Sequence, residues 1–215
     1  MPPRRRFALS VYVLVVSSTV GERIQYEAEP SKGSRFIATV APAANEDSAK
    51  EHLARVRAEM PDAGHHCWAW RIAQPVIDRA SDDGEPSGSA GKPILAQLTG
   101  RDLVNTAVIV SRYWGGTKLG VGGLVRAYGG AAAEALDRAT LLPWVAMFRA
   151  TVRHEHGDTD AVIRALAKAG AVDIDADYGT AVTRIIELPV DAADQVQVAL
   201  ADATAGRAVI EAETP

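Results

Sequence analysis

The 215-residue sequence predicts an α+β protein in two parts, and three observations carry that prediction. Runs that alternate apolar and polar side chains are interleaved with runs of helical spacing all along the chain. The stretch from Ser111 to Gly130, SRYWGGTKLGVGGLVRAYGG, has seven glycines in twenty residues and separates a buried-strand pattern from a helical one. After Pro143 the pattern becomes a compact series of strand, helix, two strands, helix and strand. The length allows one large domain or two small ones, each able to bury its own core.

Residues 1–20, MPPRRRFALSVYVLVVSSTV, join an Arg cluster to an apolar stretch, superficially like a secretory n-region and h-region. Ser10 interrupts the apolar stretch and no small-x-small cleavage site follows. A buried strand or an extension upstream of the true start is the favoured reading. From residue 23, RIQYEAE alternates like a half-buried strand, Pro30 to Gly33 makes a turn, and SRFIATVAP begins the next strand. Asn45 caps a helix, NEDSAKEHLARVRAEM, with acids in its first turn and apolar Ala49, Leu53, Val56 and Met60 at helical spacing. Pro61 stops it. HHCWAWRIAQPV reads as a strand with Cys67, Ala69 and Arg71 on one face and His66, Trp68 and Trp70 on the other.

DRASDDGEPSGSAGKPIL, rich in Gly, Pro, Ser and Asp, reads as a loop, either disordered or ordered for function. A helical start, PILAQLTGR, precedes the strand LVNTAVIV. The glycine-rich stretch follows it and runs into the helix GLVRAYGGAAAEALDRA. In the last part WVAMFRATVRHEH, AVDIDADYG, TAVTRIIELPV and RAVIEAE read as strands, with helices DTDAVIRALAKAG and DAADQVQVALADAT between them. The order βαββαβ is that of a ferredoxin-like two-layer sandwich. The expected division is an N-terminal extension at 1–20, a first domain at 21–143 and a second at 144–215.

Composition bounds the function classes. The formal net charge is −4, but residues 1–143 carry 17 Lys+Arg against 15 Asp+Glu, a balance of +2. Residues 144–215 carry 6 against 12, a balance of −6. Contact with nucleic acid therefore belongs to a local patch of the first part, because phosphate binding needs Lys and Arg. One cysteine excludes an intramolecular disulfide and agrees with a reducing compartment. No apolar run approaches the ~20 residues needed to span a bilayer, so no membrane partner is expected.

Two clusters offer chemistry. His65, His66 and Cys67 are too few for a zinc site, and CxxC and HExxH are absent. Cys67 beside tryptophan reads first as a small buried hydrophobe and only second as a nucleophile with a histidine base. Asp82, Asp83 and Glu85 form an acidic knot. They suit a hard cation such as Mg²⁺ or Ca²⁺, but lack EF-hand spacing. The favoured alternative caps backbone N–H groups or pairs with Arg112, Lys118 or Arg126. The basic glycine stretch fails both GxxxxGK[ST] and GxGxxG, which argues against the familiar nucleotide loops. Gly115, Gly116, Gly120, Gly122 and Gly123, with Arg112, Lys118 and Arg126, are left as an anion cradle or a packing device. No cofactor and no resident metal are expected.

Read together, SRFIATV, HHCWAWRI, SDDGEPSGSAGKPIL and SRYWGGTKLGVGGLVRAYGGA resemble the YigZ/IMPACT family over about residues 22–140. The βαββαβ tail resembles the smaller domain that bacterial members add. Trp114 stands where Phe is usual, Ser89 where Thr is usual, and His66 where Asn is common; all three preserve size or hydrogen bonding. The resemblance implies a first domain like the second domain of ribosomal protein S5, also found as domain IV of elongation factor G. It implies a ferredoxin-like second domain of the elongation-factor type. Eukaryotic relatives regulate translation by competing for a protein partner in a starvation-sensing kinase pathway, through an additional domain with no counterpart in these 215 residues. For bacterial members the resemblance implies a cytoplasmic protein linked to translation or nucleic-acid binding, with no established reaction. The leading expectation is a non-enzymatic RNA- or ribosome-binding protein. The alternatives are a metal-dependent hydrolase using Asp82, Asp83, Glu85 and His65 or His66, and a regulator that docks a protein partner through its acidic second domain.

Overall fold

A computed structural model describes residues 17–212. The expectations for residues 1–16 lie outside the described residues. The chain is a mixture of helices and antiparallel sheets and divides into two units between Trp144 and Val145.

The first unit runs β1 (Ser17–Val20), β2 (Ile24–Glu27), β3 (Arg35–Pro42), α1 (Glu46–Glu59), β4 (His65–Ile72), β5 (Ile77–Ser81), α2 (Gly91–Thr99), β6 (Thr106–Tyr113), α3 (Val121–Leu136) and β7 (Leu141–Trp144). Five strands form one sheet in the order β2-β3-β6-β4-β5, antiparallel throughout. Helices cover both faces. α2 and α3 set Ile94, Leu98, Tyr128 and Ala132 on Phe36, Cys67, Val108 and Val110. α1 sets Ala49, Leu53, Val56 and Met60 on Trp70, Ile72, Ala107 and Ile109. The central strand β6 therefore buries Val108 and Val110 on one side and Ala107 and Ile109 on the other. This explains why its sequence is continuously apolar instead of alternating. Each large apolar side chain buried this way contributes about 1.5–3 kcal/mol.

Local chemistry fixes the ends. Asn45 caps α1 through Ser48 N–H (2.8 Å), and Ser48 Oγ accepts from Asn45 N–H (3.2 Å), a reciprocal box. Two short strands, β5 and β7, were not foreseen. IDRAS, read as the start of a loop, is β5 and pairs with β4. Ser17–Val20, within the stretch read as a buried strand or an extension, is β1 and pairs with β7, with Val20 fully buried. The first unit thus includes residues 17–20.

The second unit runs β8 (Met147–His154), α4 (Thr159–Lys168), β9 (Val172–Tyr178), β10 (Val182–Pro189), α5 (Ala193–Thr204) and β11 (Val209–Ala212). Its sheet order is β11-β8-β10-β9, and every pair is antiparallel. Strict alternation along β10 puts Val182, Arg184, Ile186 and Leu188 under the helices. Ala150, Val152, Val162, Leu166, Val196 and Leu200 complete that core. Arg184 is buried with compensation: it pairs with Asp173, donates to Tyr178 Oη at 3.1 Å and to His154 Nε2 at 3.3 Å.

One glycine of the motif between β6 and α3 is demanded by packing. A Cβ on Gly115 would lie 1.9 Å from the carbonyl carbon of Gly33 and 2.2 Å from Ser34 N, so the two backbones touch. Gly130, on α3, has open space where its Cβ would be. Gly115→Ala is expected to lower stability by about 3 kcal/mol or more, because backbone and no flexible side chain must move. Gly130→Ala is expected to raise it by about 0.5–1 kcal/mol. Urea denaturation of the two variants checks both signs.

Candidate anion-binding cleft

The acidic loop and the glycine loop meet. β6 ends by carrying Arg112 toward the loop that follows β5, and Arg112 Nη1 pairs with Glu85 Oε1 at 2.6 Å. Both side chains are at least nine-tenths buried. Tyr128, from α3, donates its hydroxyl to the same Glu85 oxygen at 2.7 Å. Burial, with Cys67 and Glu85 adjacent, pushes the Tyr128 hydroxyl well above its ordinary pKa, so it stays a donor. Ser34 Oγ accepts from Arg112 Nη2 (3.4 Å) and from Gly115 N–H (3.1 Å), which ties the turn before β3 to the same centre. Arg112 Nε, also buried, finds no acceptor among the described residues.

The other two carboxylates have different partners. Asp82 accepts from Gly88 N–H (2.7 Å), Ala90 N–H (2.9 Å) and Gly91 N–H (2.8 Å). It therefore caps α2 from eight residues upstream, where Ala90 offers no side chain to do so. Burial alone would raise its carboxyl, but the N–H groups of Gly88, Gly91 and Ala90 outweigh that and hold it below the usual range. Asp83 pairs with Arg57 of α1 (2.9 Å) and accepts from His66 N–H (2.7 Å). Among the described residues, no three His, Cys, Asp or Glu side chains are grouped to hold a metal ion. The three acids serve as a cap, an anchor and an ion-pair partner, not as a shared cation site.

The histidine–cysteine cluster is also split. Cys67 is buried, donates to Asp82 O at 3.0 Å, and burial pushes its thiol up to about 12. A thiol so placed is no nucleophile near neutral pH. His66 is buried against Ser111 Oγ (2.8 Å), and burial lowers its pKa, which keeps the ring neutral. Only His65 reaches the cleft: its Nδ1–H donates to Asp83 O at 2.8 Å, and its Nε2 lies 4.0 Å from Glu85 Oε1.

Between the acidic loop and the start of α3 lies a cleft of about 490 Å³ bordered by His65, Glu85, Arg112, Trp114, Lys118 and Val121. Gly120 is the N-cap of α3, at φ +72°, and supplies no capping side chain; no acid stands in the first turn. The first helical hydrogen bond is Leu124 N–H to Gly120 O at 2.9 Å, so the N–H groups of Val121, Gly122 and Gly123 precede it. Lys118 and Arg126, both exposed, have no ion-pair partner among the described residues. Cations beside the positive end of a helix dipole are unfavourable unless an anion lies between them. Of the eight residues proposed from sequence for anion binding, then, Arg112 is internally neutralised and Gly115 is a packing contact. Lys118, Arg126, Gly116, Gly120, Gly122 and Gly123 stay open to solvent or nearly so.

Residues 32–136 match the Impact N-terminal domain, and residues 152–207 match a domain of unknown function, DUF1949. The chain is 38% identical over 181 residues to "IMPACT family member YigZ" of Escherichia coli, covering 83% of this chain and 89% of that protein. The chain belongs to the IMPACT family. A Thermus thermophilus member, "IMPACT family member in pol 5'region", is 47% identical over 135 residues, 61% of this chain and 73% of its own. A solved structure, "Crystal structure of an hypothetical protein", superposes with a TM-score of 0.71 at 34% identity over 94% of this chain and 99% of its own. The Impact N-terminal match contains every cleft residue of this IMPACT-family chain. Ser34 and Tyr128 were missed as site residues from sequence, although both lie inside the quoted motifs. Their role depends on where three separate segments converge.

The Asp82 cap carries a pH signature. Its carboxyl is lowered in the fold, so its contribution is full above the unfolded carboxylate value of ~3.9 and is lost as pH falls through the lower folded value. Asp82→Ala is expected to cost about 1–2 kcal/mol at pH 7. Unfolding midpoints of wild type and variant, measured from pH 7 to pH 2, should converge below about pH 4.

Proposed function

We propose that this chain is a non-enzymatic, translation-associated protein of the IMPACT family that binds RNA or the ribosome through its first unit, in the cytoplasm. The observation that carries the reading is the pair Lys118 and Arg126, with no ion-pair partner among the described residues beside the uncapped start of α3, while Glu85 at the cleft is bound to Arg112. Phosphate is the anion that such a donor set recognises most readily. Residues 144–215 are net acidic, with 6 Lys+Arg against 12 Asp+Glu, which disfavours phosphate contact there. We read the first unit as a fold like the second domain of ribosomal protein S5, and the second unit as ferredoxin-like. This is an analogy of scaffold that raises the weight of a translation partner without assigning one. Among the described residues no helix is long and apolar enough to cross a membrane.

A titration of the full chain with RNA across a salt series tests the proposal. Binding is expected to weaken steeply with salt, and Lys118→Glu to lower affinity and reduce the log–log slope by about 1. Absence of salt-sensitive binding, or an unchanged Lys118→Glu titration, overturns it.

A further inference from the structure

We propose that the cleft seats one unstacked nucleotide of a single-stranded RNA, with its base against Trp114 and its phosphate at the start of α3 beside Lys118. The inference rests on the RNA-binding reading above and narrows its ligand from RNA in general to an unpaired strand.

The phosphate half of the seat is the backbone N–H groups at the start of α3 with the Lys118 ammonium beside them. The N–H groups of Val121, Gly122 and Gly123 open α3 uncapped. Arg112 borders the same cleft but is held by Glu85 and Ser34, and its Nε–H is sealed from solvent with no acceptor among the described residues. Lys118 adds a charge at the rim with no ion-pair partner among the described residues, and Arg126 Nη1 lies 3.7 Å from where a Cβ on Gly122 would stand, beside the first turn of α3. Gly116 and Gly120 have positive φ with nothing within 4 Å of a Cβ position, so the loop backbone is open to a close ligand. Glu85, the one acid bordering the cleft among the described residues, is occupied by Arg112 and Tyr128.

The base half is aromatic and apolar. Trp68 and Trp70 stack on each other, with centroids 3.7 Å apart, at the core beneath α1. Trp114 instead stands 66% exposed at the cleft, next to Val121, which is also exposed, and to Pro86, Leu119 and Leu124. An exposed indole beside an anion site matches how single strands are held: a basic element tracks the backbone, and an aromatic face takes a base whatever its identity. A duplex hides its base faces. A cleft of about 490 Å³ has the scale of a pocket for one small ligand, not of a groove for a double helix.

The test titrates full-length protein at one low salt with a labelled ten-nucleotide single-stranded RNA and with a blunt duplex of the same sequence. The single strand is expected to bind about 10-fold tighter, and Trp114→Ala to erase that preference while Trp114→Phe retains most of it. Both substitutions are at an exposed side chain, and equal urea midpoints confirm the fold. Gly122→Asp is a second variant: a carboxylate in the first turn should raise the unfolding midpoint and still weaken the single strand. Equal affinity for strand and duplex overturns the seat, as does a single-strand preference that survives Trp114→Ala. Either result leaves salt-sensitive RNA binding standing. No salt-sensitive binding of either RNA overturns the seat together with the reading beneath it.

Discussion

The buried pair of Arg112 and Glu85 is the constraint on which the cleft depends. Two opposite charges removed from water are tolerable only with close contact and further hydrogen bonds. Here Tyr128 and Ser34 supply them. The four residues come from the turn before β3, the loop after β5, the end of β6 and the middle of α3. One electrostatic requirement thus fixes the relative placement of four separate chain segments. The pair also consumes the acid that would otherwise repel an anion, and it leaves the cations further along the loop uncompensated.

The glycine-rich stretch does two jobs that sequence cannot separate. Its first part is a packing device: Gly115 touches the backbone of Gly33 and Ser34, with no room for any side chain. Its second part leaves the start of α3 bare, with Gly120 as the N-cap and Gly122 and Gly123 in the first turn. Elsewhere in the unit helix starts are filled: α1 by Asn45, with Glu46 and Asp47 behind it, and α2 by the carboxylate of Asp82. Among the described residues of the first unit, α3 is the helix whose start has neither a side-chain cap nor an acid in its first turn.

Much of the fold was legible because its signals are local. The Asn45 cap, the helical spacing of Ala49, Leu53 and Val56, and the alternation along β10 depend on neighbours within a few residues. The short strands β5 and β7 were not, since four or five residues gain strand character only from a partner such as β4 or β1. The site shows the same division. Asp82, Asp83 and Glu85 stand within four positions and read as one cluster, but the loop sends each to a different segment. Asp83 has positive φ, which helps turn the loop between the Asp82 and Glu85 directions. Cys67 and His65 share a strand face, as spacing implied, yet one is sealed under Asp82 O and the other faces the cleft. Such differences arise from tertiary convergence, which no spacing rule encodes.

The most direct test of this account is a double-mutant cycle on stability for Arg112→Met and Glu85→Gln. Each single substitution strands the other partner in a buried site, a loss of about 3–5 kcal/mol for a broken buried ion pair. The double variant should lose much less than the sum, giving a coupling of about 2 kcal/mol or more. Additive losses would contradict the claim that this pair joins the two loops.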